Sequence, residues 1–190
     1  TGDLSGHDRA MVCAMLIAGT LGNIQTAACQ VVDDLLASGN AAELRKWQAQ
    51  NMAGLAPLVG AAVLANPPLR VLPRRVIAQV AIGNATISEG DDCLLLLQGS
   101  TRCPHAAQHV WGDATPPGAA AHSCLGKDLA LPLITALVRH AIGLPGLARA
   151  IDPLTGDTYR MARLWGVACT SLPLSYKRVR SRAQRNLIVS

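Results

Sequence analysis

The stretch PGAAAHSCLGKDLA, residues 117–130, sets a run of small residues and one Cys directly ahead of an apolar helical pattern. A thiolate at such a place is stabilised by unpaired backbone N–H groups and by the helix dipole. The position suits a sulfur that holds a metal. It suits a merely tolerated buried Cys equally well, so the neighbouring sequence has to decide.

Downstream, LGKDLALPLITALVRHAIG reads as a strong helix, bent or weakened near Pro132. Upstream, residues 101–123 read as irregular. Further back, RVIAQVAIG, ATISEG and CLLLLQGS are short β-rich runs separated by Gly-Asn and Glu-Gly turns, which predicts a small sheet. AGLAPLVGAAVLAN reads as a buried helix ended by Pro67 and Pro68, and AAELRKWQAQN as a short amphipathic one. The last forty residues read as loops and short strands.

At the other end of the chain, RAMVCAMLIAGTLGNIQTAACQVVDDLLASG has apolar residues at helical spacing through Leu36. Ser5 or Asp8 would cap this long helix, and Gly39 would stop it. Its middle, AGTLGN, carries Gly19 and Gly22, which together cost roughly 2 kcal/mol relative to Ala in a helix interior. Close packing against another helix would explain the glycines. So would a helix that must approach a flat ligand. The expectation is one mainly α domain with a small β-sheet (α+β), covering residues 1–190.

Composition narrows the function classes. With three Trp, two Tyr and no Phe, recognition of nucleic acid by base stacking is excluded as a main activity. The net charge of +5 is partly local, because SYKRVRSRAQR is dense in Lys and Arg and forms a solvated or acid-docking tail. The six Cys, at positions 13, 29, 93, 103, 124 and 169, contain no Cys-x-x-Cys pair. They read as reduced, mostly buried thiols in a cytoplasmic protein. No secretory leader is visible. Apolar runs such as LAPLVGAAVLANPPL are broken by Gly and Pro, so no transmembrane segment is expected.

Taken together these elements resemble the cytochrome P450 family. GAAAHSCLGKDLA is similar to the family's heme-binding loop, Phe-Gly-x-Gly-x-His/Arg-x-Cys-x-Gly-x-x-Leu-Ala. Gly118, His122, Cys124, Gly126, Leu129 and Ala130 fall in register, while Pro117 replaces the Phe and Ala120 a Gly. Residues 67–104 are similar without gaps to the family's small sheet, including its Pro-Arg pair. Thr101-Arg102-Cys103-Pro104 stands at the closing Asn-Arg-Asp-Pro motif, and TSLPLSYKR matches the usual last strands. MLIAGTLGN sits where the long distal helix crosses the heme.

The resemblance implies heme b (iron protoporphyrin IX) with Cys124 as the axial thiolate. Arg74 and His122 fall where the family pairs cations with the heme propionates. Gly118 and Gly126 belong to the cysteine loop, and Gly19 to the helix on the opposite face. His105, His109 and His140 have no ligand spacing and read as surface residues.

Departures from the family are as informative. The chain resembles only the later half of a typical member, so either a partner chain or a further segment completes the pocket, or the pocket is a reduced one. Ala61 and Leu64 stand at the positions of the Glu-x-x-Arg pair, and the loop before the Cys lacks its Arg. Losing one member of a buried ionic set strands a charge at roughly 3–5 kcal/mol, whereas replacing the whole set with apolar residues can be neutral.

Leu21 and Gly22 replace the acid and Thr that deliver protons to bound dioxygen. Asn23 lies one position on. Hydroperoxide-rearranging members, including fused dioxygenase–P450 enzymes, use an amide there, which makes Asn23 the candidate catalytic donor. An amide bonded to its own helix is the competing reading. The expectation is a heme-thiolate oxidoreductase acting on an apolar, fatty-acid-like substrate, by monooxygenation with a redox partner or by peroxide chemistry. The alternative is a P450-derived structural or interaction module with weak or no heme binding.

Overall fold

The computed structural model describes residues 5–37, 46–47, 54–97, 111, 124, 126–164 and 168–177. Helix α1 spans Gly6–Ala37, α2 Leu55–Ala65 and α3 Lys127–Ile142. Strands β1 (Val71–Arg75), β2 (Val80–Ile82), β3 (Ala85–Ile87) and β4 (Asp92–Leu96) lie between α2 and α3. Strands β5 (Ala148–Arg149), β6 (Ala162–Leu164), β7 (Ala168–Ser171) and β8 (Leu174–Ser175) follow α3.

Ser5 and Asp8 act together at the start of α1. The Asp8 N–H donates to Ser5 Oγ at 3.1 Å, and the Ser5 N–H donates back to the Asp8 carboxylate at 3.2 Å. That exchange satisfies two helix-end donors reciprocally. The helix then runs unbroken through Gly19 and Gly22, and a Cβ at either would meet nothing within 4 Å. No element described here packs on the two glycines. The stop expected at Gly39 and most of the short helix around Trp47 lie outside the described residues.

One core holds the three helices together. Ile24, Ala27, Ala28, Val31, Val32 and Leu35 form the buried stripe of α1, at spacings of three and four. They meet Ala130, Ile134, Val138 and Ile142 of α3, while Leu55, Val59 and Val63 of α2 close the third side. Helix α3 continues through Pro132, which sits on its exposed side. Gly54, with φ of +80°, turns the chain into α2 beneath the Trp47 ring.

The small sheet takes the form of four separate two-stranded antiparallel ladders. β1 pairs with β4 from Val71↔Leu96 to Arg75↔Asp92, and β2 pairs with β3 inside that loop. The expected turns are present: Gly83 (φ +60°) precedes Asn84 between β2 and β3, and Gly90 (φ +90°) lies in the turn before β4. β5 pairs with β8, and β6 with β7.

Two expectations need correction. None of the five described Cys is fully buried: Cys13 and Cys124 are exposed, and Cys29, Cys93 and Cys169 are half-buried. Cys13 is uncovered because the first half of α1 stands clear of the core. That same helix is long and apolar enough, by length and composition, to cross a membrane, contrary to the expectation of no such segment. Its second half, however, is the centre of the core.

If this core carries the fold, Leu55→Ala should lower stability by about 2–5 kcal/mol. Leu94→Ala, on the exposed side of β4, should stay within about 0.5 kcal/mol of the parent. Urea unfolding of the two variants checks both.

Candidate functional site

Cys124 stands immediately ahead of α3 with its side chain exposed. Its backbone is fixed on both sides. The Cys124 N–H donates to the Trp111 carbonyl at 2.8 Å, and its own carbonyl accepts the Lys127 N–H at 3.2 Å. Gly126 is the cap residue of α3, and a Cβ there would meet nothing within 4 Å. An exposed thiol at a helix start can serve as a thiolate ligand to heme iron, and the open space at Gly126 leaves room for a flat ring beside it. Among the described residues no group of three His, Cys, Asp or Glu side chains converges on a metal geometry. A porphyrin iron needs only one such ligand here, because the ring supplies four. The residues present therefore fit the group.

The other candidates are more scattered. Asn23 and Gly19 meet directly: the Asn23 Nδ2 donates to the Gly19 carbonyl one turn back, at 2.5 Å. This is the self-bonded amide of the competing reading, and it occupies one of two N–H donors. Arg74 is exposed on β1, opposite Cys93 in register, and its Nη1 donates to the Pro73 carbonyl at 2.8 Å. No hydrogen bond or ion pair among the described residues joins Arg74 to Cys124 or Asn23. His122 and Gly118, like His105 and His109, lie outside the described residues. His140 is exposed on α3 with Nδ1 against the Ala136 carbonyl at 2.9 Å, a surface residue as expected.

Ala61 is exposed and Leu64 half-buried on α2. Neither side chain is charged, so these two positions form no ionic pair. Helices α1 and α3 both carry large uncovered apolar side chains. Met15 and Leu21 on α1 are 69% and 65% exposed, and Leu129, Leu133 and Leu137 form an uncovered stripe along α3.

Sequence reading missed a polar seam on the other side of α1. Thr26, Gln30 and Asp33 are buried and repeat at spacings of four and three, so they share one helix face. The Cys169 N–H donates to Thr26 Oγ1 at 2.9 Å, and the Arg163 guanidinium bonds Gln30. Gln30 in turn donates to Asp34 at 2.6 Å. Arg149 lies 2.7 Å from the Asp33 carboxylate as a charge contact, while its Nη2 donates to the Asp33 carbonyl at 2.9 Å. Burial lowers the pKa of Arg163, with Arg70 as a second cause, and burial raises that of Asp34. The signal in the sequence was polar residues at helical spacing inside an otherwise apolar helix.

The comparisons with known proteins agree on the fold. No family model and no curated protein sequence matches the chain. Among solved structures, 95% of the chain matches 47% of the cytochrome P450 CYP109Q5 from Chondromyces apiculatus, with TM-score 0.71 and 16% identity. CYP109E1 from Bacillus megaterium, in complex with testosterone, matches 94% of the chain over 50% of its own length, with TM-score 0.69 and 14% identity. P450BioI, in complex with hexadec-9Z-enoic acid ligated acyl carrier protein, matches 92% over 46%, with TM-score 0.67 and 23% identity. The chain has a cytochrome P450-like α+β fold. It spans about half the length of the structures it matches.

The thiol of Cys29 gives this region a pH dependence. Burial, and next the neighbouring Cys169, push it from an ordinary 9.0 up to about 12. Below pH 9.0 both folded and unfolded chains keep the proton, so stability does not change with pH. Above it the unfolded chain loses the proton first, and stability falls as pH rises toward about 12. Cys29→Ser has no thiol to titrate there. Its urea midpoint should therefore fall less than that of the parent between pH 8 and pH 10.5 (values chosen to straddle roughly the ordinary thiol pKa).

Proposed function

We propose that this chain is the heme-binding part of a heme-thiolate oxidoreductase. The observation that carries the reading is the exposed Cys124 thiol at the mouth of α3, within a cytochrome P450-like fold. Bound there, heme b supplies the iron centre at which an O–O bond is broken.

The chain's own residues do the rest. Cys124 would hold the heme iron through its thiolate, and the backbone N–H groups that follow it would tune the sulfur. Gly118 and Gly126 keep the loop open for the ring, and Gly19 leaves room on the distal helix. Arg74 and His122 pair with the propionates and fix the ring's orientation. Asn23, anchored by one N–H on the Gly19 carbonyl, keeps its second N–H for an oxygen of a bound hydroperoxide. With Leu21 and Gly22 in place of an acid and a hydroxyl, peroxide-level oxygen suits this chain better than dioxygen delivered with a redox partner's electrons.

The substrate is apolar. Supporting this are the uncovered Met, Leu and Ile side chains of α1 and α3. P450BioI, whose fold this chain shares, is in complex with a fatty-acid-ligated carrier protein. A further polypeptide, supplying what the other half of the matched structures supplies, covers those side chains and closes the pocket.

Reduced, carbon monoxide-treated protein loaded with heme should show the Soret band typical of thiolate ligation, and Cys124→Ala should abolish it. No heme uptake by the parent, or a band unchanged in Cys124→Ala, refutes the reading and leaves an interaction module. Asn23→Leu should keep the band and slow hydroperoxide turnover by roughly 100-fold, the usual scale for one lost oxyanion-type donor.

A further inference from the structure

Two of the thiols have no part in the heme reading, and the fold brings them together. Cys29 lies on the half of α1 that builds the core, and Cys169 on β7. The backbone N–H of Cys169 donates to Thr26 Oγ1 at 2.9 Å. Thr26 and Cys29 are three residues apart on the helix, so both present to the same strand. Cys169 is paired in register with Arg163, whose guanidinium bonds Gln30, the residue after Cys29. The helix contacts at 26 and 30 thus bracket Cys29, and the hairpin contacts at 163 and 169 hold Cys169 opposite it. Both residues are half-buried, so neither is sealed from a small oxidant.

We propose that Cys29 and Cys169 are an oxidisable pair that closes a disulfide between α1 and the β6–β7 hairpin. With a peroxide as oxidant, the Cys169 sulfur attacks one peroxide oxygen. The O–O bond breaks, the other oxygen leaves as water or an alcohol with the thiol proton, and Cys169 becomes a sulfenic acid. The Cys29 sulfur then displaces that hydroxyl, which leaves as water with the Cys29 proton. In sum two thiols and one peroxide give a disulfide, one water or alcohol, and one water. Two electrons pass from sulfur to oxygen.

Cys29, on the rigid helix between the contacts at 26 and 30, takes the second step as the hairpin carries Cys169 toward it. A disulfide holds its two sulfurs about 2 Å apart, so helix and hairpin have to close up as the bond forms. The hairpin, with a register irregularity between Ala162 and Arg163, is the element that gives. The inference is independent of whether the chain binds heme.

The test is peptide mapping of the full chain, treated with hydrogen peroxide, capped with N-ethylmaleimide under denaturation, and digested with trypsin without reductant. The expected product links residues 10–45 to residues 164–177 and weighs two hydrogens less than the two peptides summed. It should persist in Cys13→Ser, since Cys13 shares the first peptide, and vanish in Cys29→Ser and in Cys169→Ser. The oxidised parent should also melt at a higher temperature than the reduced one, with no such shift in Cys29→Ser. Recovery of Cys29 and Cys169 both as maleimide adducts overturns the proposal. So does a cross-link that survives Cys29→Ser, or Cys169 over-oxidised beside a capped Cys29.

Discussion

The contact between the second half of α1 and the inner face of α3 holds the rest of the molecule in place. Ala27 and Ala28 on one helix, and Ala130 on the other, let the backbones approach closely, and Val31, Ile134 and Val138 fill the space beyond. α2 completes the wedge with Leu55, Val59 and Val63. Everything of functional interest hangs from an end of this wedge. Cys124 is tied to α3 through its own carbonyl, so the position of that helix fixes the position of the sulfur. Asn23 is the first residue of α1 to leave the core on the N-terminal side, and its amide bonds back to the Gly19 carbonyl.

The polar seam beneath α1 is the price of attaching strands too short to hold themselves. β5 to β8 have between two and four residues each, and isolated two-stranded ladders are marginal in water. They are held by Thr26, Gln30 and Asp33 reaching to Cys169, Arg163 and Arg149. Buried charge pairs contribute little net stability, but removing one partner leaves the other uncompensated. The seam therefore specifies where the hairpins dock more than how firmly the protein folds. The same contacts, at Thr26 and Gln30 on the helix and at Cys169 and Arg163 on the hairpin, bracket Cys29.

Much of this was legible in the sequence. The helical period of α1, its Ser5 and Asp8 start, the buried face of α2, and the Gly83 and Gly90 turns each rest on local chemistry that a sequence displays. The P450-like α+β fold was legible through the resemblance, while the loop ahead of Cys124 lies outside the described residues. The single expected sheet was not found as such, because ladder pairing depends on contacts between distant residues that no local pattern encodes. The burial of the thiols was misjudged for a related reason. Cys13 sits in the largely apolar run from Ala10 to Gly22, and only tertiary packing shows which half of the helix is covered. The polar seam was hidden by composition, since three polar residues among many apolar ones look like dilution until the helix is wound.

The uncovered half of α1 poses the last physical question, which is what surrounds it. A helix apolar on all sides belongs either inside a larger core or in a bilayer. Between Arg9 and Asn23 the run from 10 to 22 is thirteen residues, about 20 Å of helix, against the roughly 30 Å of a bilayer's hydrocarbon. Extending the run to about twenty residues would reach Cys29 and draw Ile24, Ala27 and Ala28 out of the core. It would also tear Thr26 from Cys169. The bilayer thus competes directly with the contact on which the fold depends, whereas a protein surface laid over Met15, Leu21 and the α3 leucines leaves that contact intact. The same cover would raise the dielectric contrast around Cys124 and exclude water from the space beside Gly19 and Gly126. In this way the packing problem and the chemical one have a common solution.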